Sequence, residues 1–261
     1  MLAALWVSRT GLGAQDVALS TIANNLANVS TIGFKKDRAV FQDLLYQIQR
    51  QPGAQASQET QLPSGLQLGT GVRAAGTQKI FTTGSLQVTD NALDVAINGR
   101  GFLRILQPDG TLAYTRDGQF HIDANGQIVT ANGDPLQPAL TIPDGAQSVT
   151  IGTDGTVTVA LAGQVDLTGI GNIQLVDFVN PAGLQSRGGN LYLETAASGA
   201  PQEGTPGLNG LGSVIQGSLE NSNVSVVEEL VSMIATQRAY EMNSKVVSTA
   251  DQMLQFVSQN L

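Results

Sequence analysis

Apolar residues fall in two long periodic stretches at the ends of the chain and in short alternating runs between them. Leu5, Leu12, Leu19 and Leu26 recur every seven residues, with Ile22 and Val29 at three-residue offsets. A strict seven-residue repeat keeps an apolar seam turned toward a supercoiling partner. No proline interrupts residues 2–28, and the pattern predicts a helix there about 40 Å long, with Gly33 as a plausible stop. The seam is thin, because Ser8 and Gln15 occupy the intervening positions. Met233, Tyr240, Val247, Leu254 and Leu261 repeat the spacing at the other end, flanked by Leu230, Val246, Ala250, Met253 and Val257. Ser225-Val-Val-Glu228 has the form of a capping box, and Glu229 adds negative charge to the first turn. This predicts a second helix over 226–259, roughly 50 Å long. Neither helix can bury its own stripe. Each needs a partner.

The middle of the chain changes period. Val95-Ala-Ile97, Phe102-Leu-Arg-Ile105, Phe120-His-Ile122, Val149-Thr-Ile151 and Val157-Thr-Val159 read as short strands. They are punctuated by Asp109-Gly110, Asp117-Gly118, Asn125-Gly126, Asp144-Gly145 and Asp154-Gly155, which are strong hairpin signals. Successive hairpins imply an antiparallel β-domain over 80–215 rather than a parallel α/β sheet. Val40, Phe41, Leu44, Leu45 and Ile48 predict a short amphipathic helix over 37–50. The Gln-, Gly- and Ser-rich stretch 51–72, with Pro52 and Pro63, predicts an extended connection.

The expected fold class is therefore α+β. Long N- and C-terminal α-helices pair as a coiled-coil-like helical domain, and a central antiparallel β-rich domain lies between them in sequence. The division that follows is 1–33 with 220–261 as the terminal-helix polymerisation domain, 34–75 as short helix and connecting segment, and 76–219 as the β-rich outer domain.

Composition narrows the function. Hydrophobic residues make up 41% of the 261-residue chain but charged residues only 13%, against about 25% in ordinary globular domains. A large surface with few charges is one meant to lie against other protein. The net charge of −8 disfavours nucleic-acid binding through a basic surface. Cysteine is absent, which removes disulfides, thiolate chemistry and Cys-based metal sites. No apolar run reaches the length of a membrane span, so no membrane insertion is expected. Met1-Leu-Ala-Ala-Leu-Trp-Val7 lacks the basic start of a secretory signal.

Catalytic chemistry finds little to work with. His121 is the single histidine, on a strand-like run, and no G-x-S-x-G elbow accompanies it. Asp123-Ala-Asn125-Gly126 has the look of a calcium-loop fragment but lacks the later ligands, so it reads as a turn. The Gly-x-Gly pairs have no third glycine and open no helix. Lys35-Lys36-Asp37-Arg38 reads as a solvated basic patch. No catalytic, cofactor or metal residue is expected, and no cofactor.

Two segments carry a family resemblance. Ala23-Asn-Asn-Leu-Ala-Asn-Val-Ser-Thr-Ile-Gly-Phe-Lys35 resembles the N-terminal signature of the flagellar rod and hook axial proteins. Ser222-Asn-Val224, Glu228-Glu-Leu-Val-Ser-Met-Ile234 and Gln237-Arg-Ala-Tyr-Glu241 resemble their C-terminal signature, which continues through Asn243, Lys245, Thr249 and Asp251-Gln-Met-Leu254. Arg38-Ala-Val-Phe41, Asp43-Leu-Leu-Tyr46, Arg50-Gln-Pro-Gly-Ala-Gln55, Leu62-Pro-Ser-Gly-Leu66, Gly69-Thr-Gly-Val-Arg73, Tyr114-Thr-Arg-Asp-Gly118 and Gly204-Thr-Pro-Gly-Leu-Asn-Gly210 are similar to the distal-rod branch of that family.

The resemblance implies a structural subunit exported by the flagellar export apparatus without a cleaved secretory signal, and assembling helically with itself into a drive shaft. Its place would be the rod in the periplasm, reaching the outer membrane. Its neighbours would be proximal rod proteins, the hook protein at the distal end, and the peptidoglycan and outer-membrane ring bushings. The expected assembly interface is Leu5, Leu12, Leu19, Ile22, Leu26, Leu230, Met233, Tyr240, Val247 and Leu254, and the expected rod-specific segment is Pro52, Leu62, Pro63, Leu66 and Leu68. A proximal rod or hook subunit is the alternative within the family. A peptidoglycan-remodelling enzyme and a secreted β-domain binding module are the alternatives outside it.

Overall fold

The computed structural model describes residues 2–53, 63–163 and 166–259. The chain divides into two compact units: a helical unit of Met1–Leu26, Asp37–Gln78 and Ser225–Leu261, and a β unit of Ala27–Lys36 and Lys79–Val224. Residues 37–78 thus group with the terminal helices rather than standing apart as a connecting segment.

In the helical unit, α1 spans Leu2–Ala27 and α2 spans Val226–Gln259, within one residue of the periodicity at every end. Helix α2 starts directly after Ser225, whose carbonyl accepts the Glu229 N–H as the first intrahelical bond (3.0 Å). Gly33 does not stop α1, which has already ended at Ala27. Gly33 has φ +69°, and a Cβ there would lie 2.7 Å from the Asp117 backbone nitrogen. Close backbone approach, not helix termination, is what requires glycine.

The helix expected over 37–50 does not form. That stretch is instead two strands, β1 (Asp37–Asp43) and β2 (Tyr46–Arg50). The chain then returns as β3 (Leu66–Gly69) and β4 (Val72–Lys79), so the C-terminal part of the expected extended connection is strand, while 54–62 lie outside the described residues. β2 pairs antiparallel with β3, and β1 pairs with β4. The Leu44 N–H donates to the Gly71 carbonyl (2.9 Å), and Arg73 bonds Gln42 across the strands (3.0 Å). Long-range pairing overrides a weak local periodicity here.

The β unit contains β5 (Leu86–Val88), β6 (Val95–Asn98), β7 (Phe102–Leu106), β8 (Leu112–Thr115), β9 (Phe120–Ile122), β10 (Ile128–Thr130), β11 (Leu136–Gln137) and β12 (Ala146–Ile151). These are followed by β13 (Thr156–Leu161), β14 (Thr168–Asn172), β15 (Leu175–Asp177), β16 (Gln185–Gly188), β17 (Leu191–Leu193), β18 (Gln202–Gly204), β19 (Ser213–Gln216) and β20 (Ser218–Glu220). The registered strand pairs are antiparallel, as the turn signals predict. The largest sheet runs β16-β17-β8-β7-β15-β18, with β11 also pairing β7.

Three turn dipeptides close hairpins: Asp109-Gly110 between β7 and β8, Asn125-Gly126 between β9 and β10, and Asp154-Gly155 between β12 and β13. Each is preorganised by a carboxylate accepting an N–H two or four residues on, as Asp109 does from Thr111 (3.0 Å) and Asp123 from Gln127 (2.8 Å). The Thr111 hydroxyl and N–H, with Arg187, hold the Asp109 carboxyl down at about 2. Asp117-Gly118 and Asp144-Gly145 close no hairpin. Gly118 lies against β6, accepting the Val95 N–H (3.0 Å), and a Cβ there would sit 1.6 Å from the Val95 oxygen.

The large sheet is covered on both faces, because side chains alternate across a strand. Leu103, Ala113, Leu175 and Leu191 point into one core with Val95, Ile97, Ile105, Phe120 and Val157. Their neighbours Phe102, Tyr114, Val176 and Tyr192 point into a second core with Phe178 and Leu184. Its aromatic rings meet edge to face, Tyr114 and Phe178 at 4.8 Å and Phe81 and Phe102 at 5.2 Å, the arrangement that ring quadrupoles favour.

Candidate assembly surfaces

Helix α2 has two apolar faces with different fates. Glu229, Met233, Thr236, Ala239, Asn243, Val247, Ala250 and Leu254 are the buried or half-buried positions between 229 and 256, and everything between them is exposed. Spacings of three and four place them on one side of the helix. At Gly11 of α1 a Cβ would lie 3.1 Å from the Asn243 amide, so the two helices meet there at close range. The opposite side carries Val227, Val231, Ile234, Met242, Met253 and Phe256, exposed by 49% to 72%, with the polar residues Arg238, Lys245 and Thr249 among them. Such a stripe on a solvated helix is costly unless something covers it.

The residues expected at the interface divide accordingly. Met233, Val247 and Leu254 lie on the inner side of α2, whereas Leu230 and Tyr240 are exposed. On α1, Leu5, Leu12, Leu19, Ile22 and Leu26 are all half-buried. The polar interruption of the α1 seam, Ser8, is more buried than any of them at 7% exposure. The outer stripe of α2 was readable from its spacing but is out of phase with the heptad that dominates the helix.

The β2–β3 hairpin is exposed at every strand position. Tyr46 pairs with Gly69 and Ile48 with Gln67, while Gln47 pairs with Leu68. Directly opposed residues share a face, so Tyr46 and Ile48 occupy one side of the hairpin, and Leu68 and Leu66 the other. Both sides are apolar: Ile48 is 61% and Leu66 49% exposed. Leu45 beside them is exposed by 89%. A lone two-stranded hairpin is marginal in water. Pro52 and Pro63 are exposed, and Leu62 lies outside the described residues. The alternation Tyr46-Gln-Ile48-Gln was the missed signal for a strand.

Side-chain amides fix the chain where it leaves α1. Asn25, 2% exposed, receives the Asp37 N–H on its Oδ1 (2.9 Å) and donates its Nδ2 to the Asp37 carbonyl (2.8 Å). The side chain imitates a strand partner. Nearby in the helical unit, the Thr10 hydroxyl accepts the Val72 N–H (3.3 Å).

The β unit has an ionic centre that sequence reading missed. Lys35, read as part of a solvated patch, is fully buried. Its Nζ donates to Glu220 Oε1 (2.5 Å) and to the Thr82 carbonyl (2.7 Å). Arg116, 2% exposed, donates Nη1 to Glu220 Oε2 (3.2 Å) and Nη2 to the Gly99 carbonyl (2.6 Å). Glu220, 1% exposed, also accepts the Gly84 N–H (2.9 Å), while its own carbonyl accepts the Gly33 N–H (2.8 Å). Burial pushes both Lys35 and Arg116 below their ordinary values, and Glu220 pulls them back up. Asn223 completes the arrangement, accepting the Lys36 N–H and donating to the Ile80 carbonyl (both 2.8 Å).

His121 is exposed on β9, opposite Val129. Among the described residues no cluster of three or more His, Asp or Glu is placed to hold a metal, and no helix is long and apolar enough to cross a membrane.

Three family profiles match in order: flagella basal body rod protein over 5–35, flagellar hook protein FlgE/F/G D1 domain over 96–159, and flagellar basal body rod FlgEFG protein C-terminal over 215–260. The flagellar basal-body rod protein FlgG of Buchnera aphidicola subsp. Schizaphis graminum is 56% identical over 259 residues, covering 99% of this chain and 100% of that protein. The chain belongs to the FlgG family of flagellar basal-body rod proteins. The FlgG protein of Caulobacter vibrioides is 48% identical over 98% of both chains, and the hook-basal body complex protein FlhP of Bacillus subtilis is 30% identical over 99% of both. Lys35, Arg116 and Glu220 fall one in each of the three matched FlgG-family segments.

Replacing Asn25 by Ala removes both bonds to Asp37 and is expected to destabilise the helical unit by about 1–3 kcal/mol. Asn25→Asp, which cannot donate to the Asp37 carbonyl, is expected to cost at least as much. Thermal unfolding followed by amide exchange in α1 and β1 measures this. An Asn25→Ala protein as stable as the parent would show that the amide contributes nothing.

Proposed function

We propose that the chain is the repeating structural subunit of the distal rod, assembling helically with copies of itself into the shaft that transmits torque from motor to hook. The observation that carries this reading is the second apolar face of α2. One face is used within the subunit, and the other, apolar at Val227, Val231 and Ile234 and again at Met253 and Phe256, is left for a neighbour. A patch on one subunit that docks a different patch on the next makes a heterologous contact, and where the rotation does not close, a filament grows. In this reading α1 and α2 pair in a coiled-coil-like manner, with Leu5, Leu12, Leu19, Ile22, Leu26, Met233, Val247 and Leu254 at the seam and Leu230 and Tyr240 at its margin.

The remaining contacts follow from position in the shaft. Proximal rod proteins lie below, the hook protein above, and the ring bushings of the peptidoglycan layer and outer membrane around it. Delivery is by the flagellar export apparatus, to a place in the periplasm reaching the outer membrane. The β2–β3 hairpin fits between neighbouring subunits, because each of its sides offers apolar residues and neither is covered within the strand pair. Filling that space would resist the sliding that bending requires. Pro52 and Pro63 limit the freedom of the connection between its strands.

Ile234→Asp places a carboxylate in the N-terminal apolar run of the outer stripe of α2, where burial against a neighbour costs several kcal/mol per unpaired ion. The monomer is expected to fold with unchanged circular dichroism, while basal bodies lack a distal rod and the cells do not swim. Swimming at the parental rate would mean that the stripe faces water in the assembly.

Deletion of residues 51–68 is expected to leave secretion and the β unit intact and to give a curved, softer rod in electron micrographs of isolated basal bodies. A deletion rod as straight as the parent would rule out the stiffening role of the hairpin.

A further inference from the structure

We propose that the segment Ser213–Val224 is a closing insert, and that the β unit seals only when Glu220 enters the site between Lys35 and Arg116. The proposal does not rest on the rod assignment. It rests on where the charges stand along the chain and on which strands pair with which.

The strand pairings of this segment all reach far back in the sequence. β19 pairs with β6, and β20 pairs with β5. Gln216 reaches the Ala92 and Val149 carbonyls and the Ile151 N–H, and Asn223 reaches the Ile80 and Thr82 carbonyls. The hairpins β7–β8, β9–β10, β12–β13 and β16–β17 join sequence neighbours instead. Local pairings close short loops and form early, whereas distant pairings must first overcome the loop entropy.

The charges make the order stricter. Before residue 220 arrives, the site holds two cations, Lys35 and Arg116, with the Gly84 N–H facing the same vacancy for an anion and the Gly33 N–H awaiting the backbone carbonyl of residue 220. All four of these donors are satisfied by Glu220 in the finished unit. Burying two like charges without their counter-ion is strongly unfavourable, so both stay hydrated until the carboxylate comes. The Arg116 guanidinium lies 5.5 Å from the centre of the Phe102 ring, which belongs to the aromatic core. That core therefore stays open on the same side. Because α2 begins at Val226, immediately beyond the insert, a chain made from its N-terminus has no sealed β unit until the start of its C-terminal helix has also appeared.

Pulsed hydrogen exchange during refolding of the full chain from denaturant tests the order without any substitution. The Gly33, Gly84, Thr89 and Asn221 amides, bonded across the insert, are expected to gain protection about tenfold later than the Gln107, Asp123 and Gly152 hairpin amides. Simultaneous or earlier protection of the first group overturns the proposal. Rate measurements on Glu220→Gln give a second reading. Its loss of stability should appear as unfolding faster by on the order of a hundredfold, with the folding rate changed less than about twofold. A folding rate that falls by most of the lost stability would place Glu220 in the folding nucleus and contradict late insertion. If Glu220→Gln does not fold, the order of amide protection in the parent chain decides alone.

Discussion

A carboxylate with no exposure to water, held by a lysine and an arginine equally removed from it, constrains most of what the β unit can do. Glu220 satisfies Lys35 from the start of the unit, Arg116 from its middle and the Gly84 and Gly33 amides besides. Removing one member of such a set leaves an unpaired buried ion, which costs far more than the net worth of the set itself. A buried ionic centre is thus a weak source of stability and a strong source of specificity for one arrangement of chain segments. Gly33 fits the same requirement, since only a residue without a side chain lets the backbone lie against Arg116 and Asp117.

Apolar surface is distributed differently in the two units. In the β unit the large sheet has a core on each face, one aliphatic and one aromatic, and the apolar residues left exposed, such as Val88, Val179 and Leu208, are scattered. In the helical unit, α2 and the β2–β3 hairpin retain apolar residues that nothing within the unit covers. With only 13% charged residues in the chain, that surplus fits the proposed subunit, which persists by packing against copies of itself. Relatives of the FlgG family, matched from end to end, are rod proteins by name, and the non-enzymatic reading stands on that kinship.

What could be read from the sequence was the part governed by long, repeated patterns. The termini of α1 and α2 follow from seven-residue spacings sustained over their whole length, and three hairpins follow from turn chemistry that acts within four residues. The stretch 37–50 was misread because Val40, Phe41, Leu44, Leu45 and Ile48 satisfy a helical spacing over too short a span to decide against strands. Lys35 was misread because its charge partner, Glu220, lies 185 residues away in sequence, and no local pattern announces such a pairing. Asn25 and Asn223 stand inside the two signatures, but their task, side-chain bonds to the backbone of other segments, is set by the fold and not by any local pattern.

A rod subunit of this design must have the outer side of α2 covered by neighbouring subunits. The chain has no cysteine, so a single Met242→Cys substitution, at a side chain 62% exposed in the subunit, reports on that face alone. Maleimide labelling should be rapid in the monomer and at least about tenfold slower in rods isolated from swimming cells. Equal labelling rates in monomer and rod would contradict the assignment of this face to assembly.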